Sequence, residues 1–185
     1  NTNITPAALD TWMQKKAALF YSVPGSVTSA LRLMAEAINN ELLDRNLKKA
    51  QAGSQVHGSL SLVVLKKDII YSLVVGQARL FLLTREGVIE WLDQENHAKG
   101  LGVNQAITCL FNQNKVSAGD SLLLAPLGNP LWSRDALQNA HGLKVEAMGR
   151  RLLNQHPANL RAAFVRLSEG KGITTINSFI PAQNG

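Results

Sequence analysis

The apolar positions of this chain fall into two patterns. Between Val27 and Leu42 they recur at 27, 30, 31, 34, 37, 38 and 42, with Arg32, Glu36, Asn39, Asn40 and Glu41 among the polar positions between them. That spacing predicts an amphipathic helix of about five turns, capped by Ser26 or Thr28 and fading into Lys48-Lys49-Ala50. From Leu60 the apolar residues run without alternation through Leu60–Leu65, Ile69–Val75, Leu80–Leu83 and Val88–Leu92, broken at Lys66-Lys67-Asp68, Gly76 and Arg85-Glu86-Gly87. Short Val/Ile/Leu runs between turn residues predict a four-stranded antiparallel meander. A half-exposed sheet would alternate, so continuous runs predict strands covered on both faces.

The remaining segments are shorter. Leu9, Trp12, Met13, Ala17 and Phe20 in residues 6–20 have helical spacing behind Pro6, and either a helix or a helix followed by a strand at Ala17–Val23 fits. Pro24-Gly25-Ser26 breaks the chain. Asp93–Asn104, with Gly100 and Gly102, predicts a loop or a short helix. Ala106–Phe111 reads as a strand, Asn112–Gly119 as a turn, and Ser121–Ala125 as a central buried strand that Pro126 and Pro130 must end. Leu131–Ala140 and Val145–Asn154 read as helices, and Leu160–Leu167 as a last strand. The βαβ alternation of a doubly wound parallel fold is missing. The order of elements predicts an α+β architecture, antiparallel sheets flanked by helices, with one domain over 1–168 and a tail or linker over 169–185.

Composition narrows the function classes. A chain of 185 residues with 45% hydrophobic and 17% charged residues holds one sizeable core. No apolar run approaches the roughly 18 residues of a membrane span, and no secretory leader is recognisable, so a cytoplasmic location is expected, as a protein or as part of a larger one. The single cysteine, Cys109, sits in an apolar segment with no partner for an intramolecular disulfide, the pattern of a structural thiol in a reducing compartment. The net charge of +6 raises the question of nucleic acid. The basic residues are scattered as pairs without aromatic interleaving, so nucleic-acid binding rests on net charge alone. The four histidines have no metal-ligand spacing, and Gly100-Leu101-Gly102 is too short for a nucleotide fingerprint.

Three segments carry a resemblance. IYSLVVGQARLFLLTREGVIEWL, then Gly119-Asp120 leading into LLLAPLGNPLW, then ANLRAAFVRL, follow one another in an order and spacing similar to the PP2C-type (PPM) metal-dependent serine/threonine phosphatases, over residues 18–168. In that family the segments contain a Val-Gly-Asp-Ser-Arg turn, a Gly-Asp-x-Leu-Leu-Leu-x-Ser-Asp-Gly-Leu strand and turn, and an Asp-Asn-Ile-Thr-Val-Val-Val strand. Gly76 and Arg79 match the first; Gly119, Asp120, Leu122, Leu123, Leu124 and Gly128 the second; Asn159, Val165 and Leu167 the third. The resemblance implies an αββα sandwich of reduced size and, in intact members, two divalent ions held by aspartates that activate a bridging water.

Those aspartates are replaced. Gln77 stands for the acid of the first turn, Leu127 for that of the second, Ala158 for that of the Asp-Asn pair, and Pro24 for the acid of an Asp-Gly-x-Gly motif expected before the long helix. Asp120 survives at a position that shapes a turn. The expectation is therefore a pseudophosphatase with no metal and no cofactor, acting as a regulatory module with a protein partner. Arg79, Asn129, Leu131 and Trp132 are its candidate contact residues; the alternatives are a solvated or salt-bridged side chain for Arg79 and a core aromatic covering the sheet edge for Trp132. The alternative is a phosphatase of residual or altered activity using Asp10, Asp68, Asp93 or Asp120. Oligomeric state is left open.

Overall fold

The computed structural model describes residues 6–49, 55–93, 95, 99–126, 132–154 and 162–175. Two helices open the chain, α1 (Pro6–Ser22) and α2 (Val27–Lys49). Ser26 caps α2: its hydroxyl accepts the Ser29 N–H at 3.1 Å and its carbonyl the Ala30 N–H. No strand forms at 17–23, because Ala17 and Phe20 pack with Trp12 and Met13 against α2 and the first sheet, as one face of a continuous helix. Trp12 Nε1 donates to Glu41 at 2.6 Å, and the Lys16 ammonium pairs with the same carboxylate, tying α1 antiparallel to α2.

Among the described residues seven strands follow: β1 (Leu60–Lys66), β2 (Ile69–Val75), β3 (Ala78–Thr84), β4 (Gly87–Trp91), β5 (Leu110–Lys115), β6 (Ser121–Pro126) and β7 (Ala163–Arg166). They do not form one meander. β1 and β2 join β5 in a three-stranded sheet of order β1-β2-β5, while β3 and β4 join β6 and β7 in a four-stranded sheet of order β4-β3-β6-β7. All pairings are antiparallel, with Leu60 opposite Val75, Ala78 opposite Pro126 and Leu80 opposite Trp91. The chain leaves one sheet at Gly76 and enters the other at Ala78. Turn residues locate a strand's end, but they do not say which sheet the next strand joins.

The two sheets stack, and helices cover the outer face of each. α1 and α2 bury Leu31, Met34, Ala35 and Ile38 against Leu73 and Val75. Ile70 and Val74 of β2 meet Leu80 and Leu82 of β3 and Leu122 of β6 between the sheets. Phe81, Leu83 and Leu123 face outward under Trp132, Leu137, Met148 and Leu152, from α3 (Arg134–Leu137), α4 (Val145–Asn154) and the approach to α3. Alternate residues of β2, β3 and β6 thus serve different cores. That is the antiparallel, helix-flanked α+β architecture expected, and it explains why those strands read as unbroken apolar runs.

Three boundaries differ from expectation. β5 begins at Leu110 and continues through Asn112-Gln113-Asn114, since an edge strand open to water on one side needs no apolar residues there. α3 is a single turn, capped by the Ser133 hydroxyl and ended by Gln138 at ψ 146° and Asn139 in the left-handed region at φ +61°. The last strand is Ala163–Arg166, and residues 155–161 lie outside the described residues. Among the described residues no helix is long and apolar enough to cross a membrane.

The ion pair between the helices titrates. Hydrogen bonding to Lys16 holds the Glu41 carboxyl below its ordinary 4.5; burial opposes it, and the hydrogen bond from Trp12 and the charges of Lys16 and Lys15 add to the lowering. A group whose pKa is lowered by folding stabilises the fold above its unfolded value, and that contribution is lost as pH falls through the folded value. Thermal melts of the wild type and Glu41→Gln are expected to differ at neutral pH and to converge as pH drops below about 4. A difference that persists unchanged in acid would mean that the carboxylate charge is not what matters.

Candidate functional site

The turn Gly76-Gln77-Ala78-Arg79 sits at the end of the sandwich where the chain changes sheets. Gly76 has φ +67°, and a Cβ there would stand 2.9 Å from Gly100 Cα. Only glycine meets both conditions. The Ala78 N–H closes a tight turn onto the Gly76 carbonyl at 2.9 Å. Gln77 is exposed, whereas Ala78 is buried between the sheets.

Arg79 points the other way. Successive residues of a strand face opposite sides, so Arg79 shares the outer face with Phe81 and Leu83. It is 9% exposed. Its Nε and Nη2 donate to Glu90 Oε1 at 2.8 and 2.5 Å, and the guanidinium lies 4.9 Å from the centre of the Phe81 ring. The expectation that Arg79 contacts a partner is corrected: the side chain is held inside the sheet-helix layer by an ion pair and a cation–π contact. Trp132 is corrected likewise. It is 2% exposed and packs with Leu137, Ala140 and Met148, a core aromatic with no surface to offer.

Pro24 is corrected on geometric grounds. The N-terminal part of α2, at Thr28 and Leu31, lines a small cavity with Tyr71 and Phe111, while its later part reaches Gly58 through Leu42 and Gly102 through Asn46. The helix therefore runs from the start of β2 towards its end. Pro24, exposed in the α1–α2 connection, lies at the end of the sandwich away from Gly76, where it cannot stand for a cleft ligand. Leu127, Asn129, Leu131 and Ala158 lie outside the described residues.

What surrounds the Gly76 turn was not expected. The segment after β4 folds back, and Gly58 and Leu101 exchange both backbone hydrogen bonds, at 3.0 and 2.7 Å. This puts Gly100 against Gly58 and Gly76. Two asparagines of α2 hold it there. Asn39, fully buried, accepts the Gly102 N–H at 2.8 Å and donates to the carbonyls of Asn104 and Gln105. Asn46 bonds Val56 N–H and the carbonyls of Val56 and Gly102, each at 2.8 Å. Helical spacing places Asn39 among the polar positions of α2. The available signal was composition: two asparagines seven residues apart opposite a Gly-x-Gly, where buried amides can satisfy loop backbone.

The turn's donor set does not fit a pair of divalent cations. Gln77 offers a neutral amide and Ala78 nothing, where such ions need hard, charged oxygens. Among the described residues no three His, Cys, Asp or Glu side chains come together. Asp120 is 7% exposed and serves its own turn, accepting the Ser117 N–H at 2.8 Å and facing His141 Nε2 at 3.4 Å. Burial, modulated by Arg32 and Glu36, raises the Cys109 thiol above its ordinary value, the opposite of what a nucleophile requires.

The packing around Gly100 is testable by substitution. A Cβ on Gly100 would fall 2.4 Å from the Gly58 carbonyl oxygen, a backbone atom that cannot swing aside. In urea unfolding, Gly100→Ala is expected to lose about 2–4 kcal/mol, whereas Gly170→Ala, with nothing within 4 Å, stays within about 0.5 kcal/mol of wild type.

No protein-family model matches the chain, and no curated protein sequence does. Solved structures do match. The chain is similar to PppA, a key regulatory component of T6SS in Pseudomonas aeruginosa, at 17% identity and TM-score 0.58, over 76% of this chain and 70% of that one. It is similar to the serine/threonine phosphatase Stp1 from Staphylococcus aureus at 12% identity and TM-score 0.63, over 78% and 68%. It is similar to the Mycobacterium tuberculosis serine/threonine phosphatase PstP/Ppp at 13% identity and TM-score 0.54, over 84% and 83%. With two antiparallel sheets stacked between helical layers, the chain has the fold of the PP2C-type serine/threonine phosphatases at reduced size.

Proposed function

We propose that this chain is a pseudophosphatase: a PP2C-like domain that does not hydrolyse phosphoesters and acts as a regulatory module by binding another protein, in the cytoplasm. The observation that carries the reading is the Gly76 turn. Its backbone is held by Gly58, Gly100 and the asparagines of α2, while its acid position carries the exposed amide of Gln77. Two dications brought close together repel strongly unless carboxylates offset their charge, and a neutral amide offsets none of it. In sequence, Leu127 and Ala158 replace the acids of the other two segments. Without such ligands no metal-bound water is activated for attack on phosphorus.

The regulatory part of the reading draws on one similar protein, PppA, whose description is that of a regulatory component. A domain that keeps a large folded surface after losing its chemistry acts through what it touches. The single half-buried Cys109 suits the reducing cytoplasm.

Calorimetry with Mn(II) and a generic phosphomonoester assay test this. The expected outcome is no Mn binding up to about 1 mM and no turnover above the uncatalysed background. Micromolar Mn binding together with turnover that disappears on substituting Asp10, Asp68, Asp93 or Asp120 would establish the alternative, a phosphatase with a rearranged site. Gln77→Asp restores one ligand of several, so it is expected to leave the protein inactive.

A further inference from the structure

Arg79 and Trp132 are buried and offer no surface to a partner. At the far end of β3 from Gly76, about 20 Å along the strand, an open groove of about 590 Å³ separates the β3–β4 turn from α3 and the loop after it. Arg85 and Glu86 line one side, Arg134, Gln138, Asn139 and His141 the other, and the buried Val88 lies between them. We infer that this groove is a docking site for an acidic peptide segment of a protein partner, one presenting Asp or Glu side chains to Arg85 and Arg134.

Three observations support it. First, both guanidiniums are exposed, and among the described residues neither forms a salt bridge. A guanidinium presents a planar fork of donors that matches a carboxylate in bidentate geometry. Second, the loop that forms the inner wall is fixed from behind. Arg151 donates to the carbonyls of Ala136 and Gln138, and Arg166 to those of Gly142 and Leu143. These two arginines are satisfied by neutral carbonyls, so their charges are not cancelled and add to the field of the groove. Third, the wall is preshaped: Asn139 is held at φ +61°, and Gln138 and Asn139 are exposed amides able to bond a peptide backbone. Less ordering cost then falls on binding.

The opposing charges set the class of ligand. Glu86 lines the groove, and Asp135 stands beside Arg134, while Asp120 is engaged by the Ser117 N–H and His141. A continuous phosphate backbone would meet Glu86 as well as the arginines and find no extended basic stripe, so nucleic acid fits poorly. A short peptide can place its acids opposite Arg85 and Arg134 and a neutral residue opposite Glu86. The groove supplies a surface for the protein-binding role proposed above and rests on that role only for the occupant being a protein. Whether the Gly76 end binds metal does not bear on it.

The test is fluorescence anisotropy of a labelled octapeptide alternating Glu and Gly, measured without metal, against the same peptide with Gln for Glu. The acidic peptide is expected to bind at least about tenfold more tightly than its neutral counterpart. It is expected to lose about tenfold or more on the double substitution Arg85→Gln and Arg134→Gln, to weaken severalfold at high salt, and to be unaffected by Gln77→Ala. Circular-dichroism melting of the double variant, expected to match wild type because both positions are exposed, separates lost binding from lost fold. Undiminished binding by the double variant overturns the inference, as does no acidic-peptide binding below about 1 mM. Tighter binding of single-stranded DNA than of the peptide at the same arginines overturns it too. Each of these results leaves the metal and phosphomonoester measurements free to stand or fall separately.

Discussion

The structure depends on one constraint: three adjacent cores share the same strands. β2 faces the helical layer with Leu73 and Val75 and the second sheet with Ile70 and Val74, and β3 faces its own helices with Phe81 and Leu83 and the first sheet with Leu80 and Leu82. No face of these strands can be given to water. The chain must therefore pass from one sheet to the other in very few residues, and it does so at Gly76-Gln77, with Ala78 already in the inter-sheet core. So tight a crossing needs a positive φ, and the loop packed on it leaves no room for a Cβ. The Gly-x-x-Arg pattern of this turn is thus explained by packing before any chemistry is considered. Glycine makes the crossing, and arginine, three residues on, is carried by strand alternation to the outer face, where Glu90 meets it.

The same logic says which parts of the molecule were legible in its sequence. Elements were legible where a pattern is local: the spacing of Leu31, Met34, Ala35 and Ile38 gives α2, and the Val/Ile/Leu runs give β1 to β4. The αββα layering followed from continuous apolar strands, which need cover on two sides, and from the family pattern. Sheet membership was not legible. β1-β2 and β3-β4 look alike as hairpins, and what assigns them to different sheets is the pairing of β5 with β2 and of β6 with β3, partners at least 35 residues away from those they join. A pairing of that range leaves no mark on the intervening residues.

The site was less legible than the fold, for a related reason. Matching Arg79 to a motif located it in the chain but not on a face. A shift of one residue along a strand exchanges buried for exposed. Pro24 shows the error on a larger scale: the motif was aligned to the break before the longest helix, and α2 proves to run in the direction that carries this break to the wrong end of the sandwich. Asn39 and Asn46 were missed because a polar residue in a helix is read as solvent-facing. The burial of an amide is set by the loop that comes to meet it.

These displacements bear on how a domain of this fold can outlive its chemistry. If Gly76 and Arg79 were retained only to position a metal ligand, losing the acid at Gln77 would leave them free to drift. The structure gives each a separate reason to stay: a backbone approach that excludes a side chain, and an ion pair on the reverse face of the strand. The acid has no such second duty, because its side chain projects from the turn into solvent. A turn of this kind is asymmetric under substitution. Its frame is fixed by the core, while its exposed position, Gln77, can change at little structural cost. In the pseudophosphatase proposed above, function is then carried by surfaces the core does not specify, such as the arginine-lined groove at the opposite end of β3.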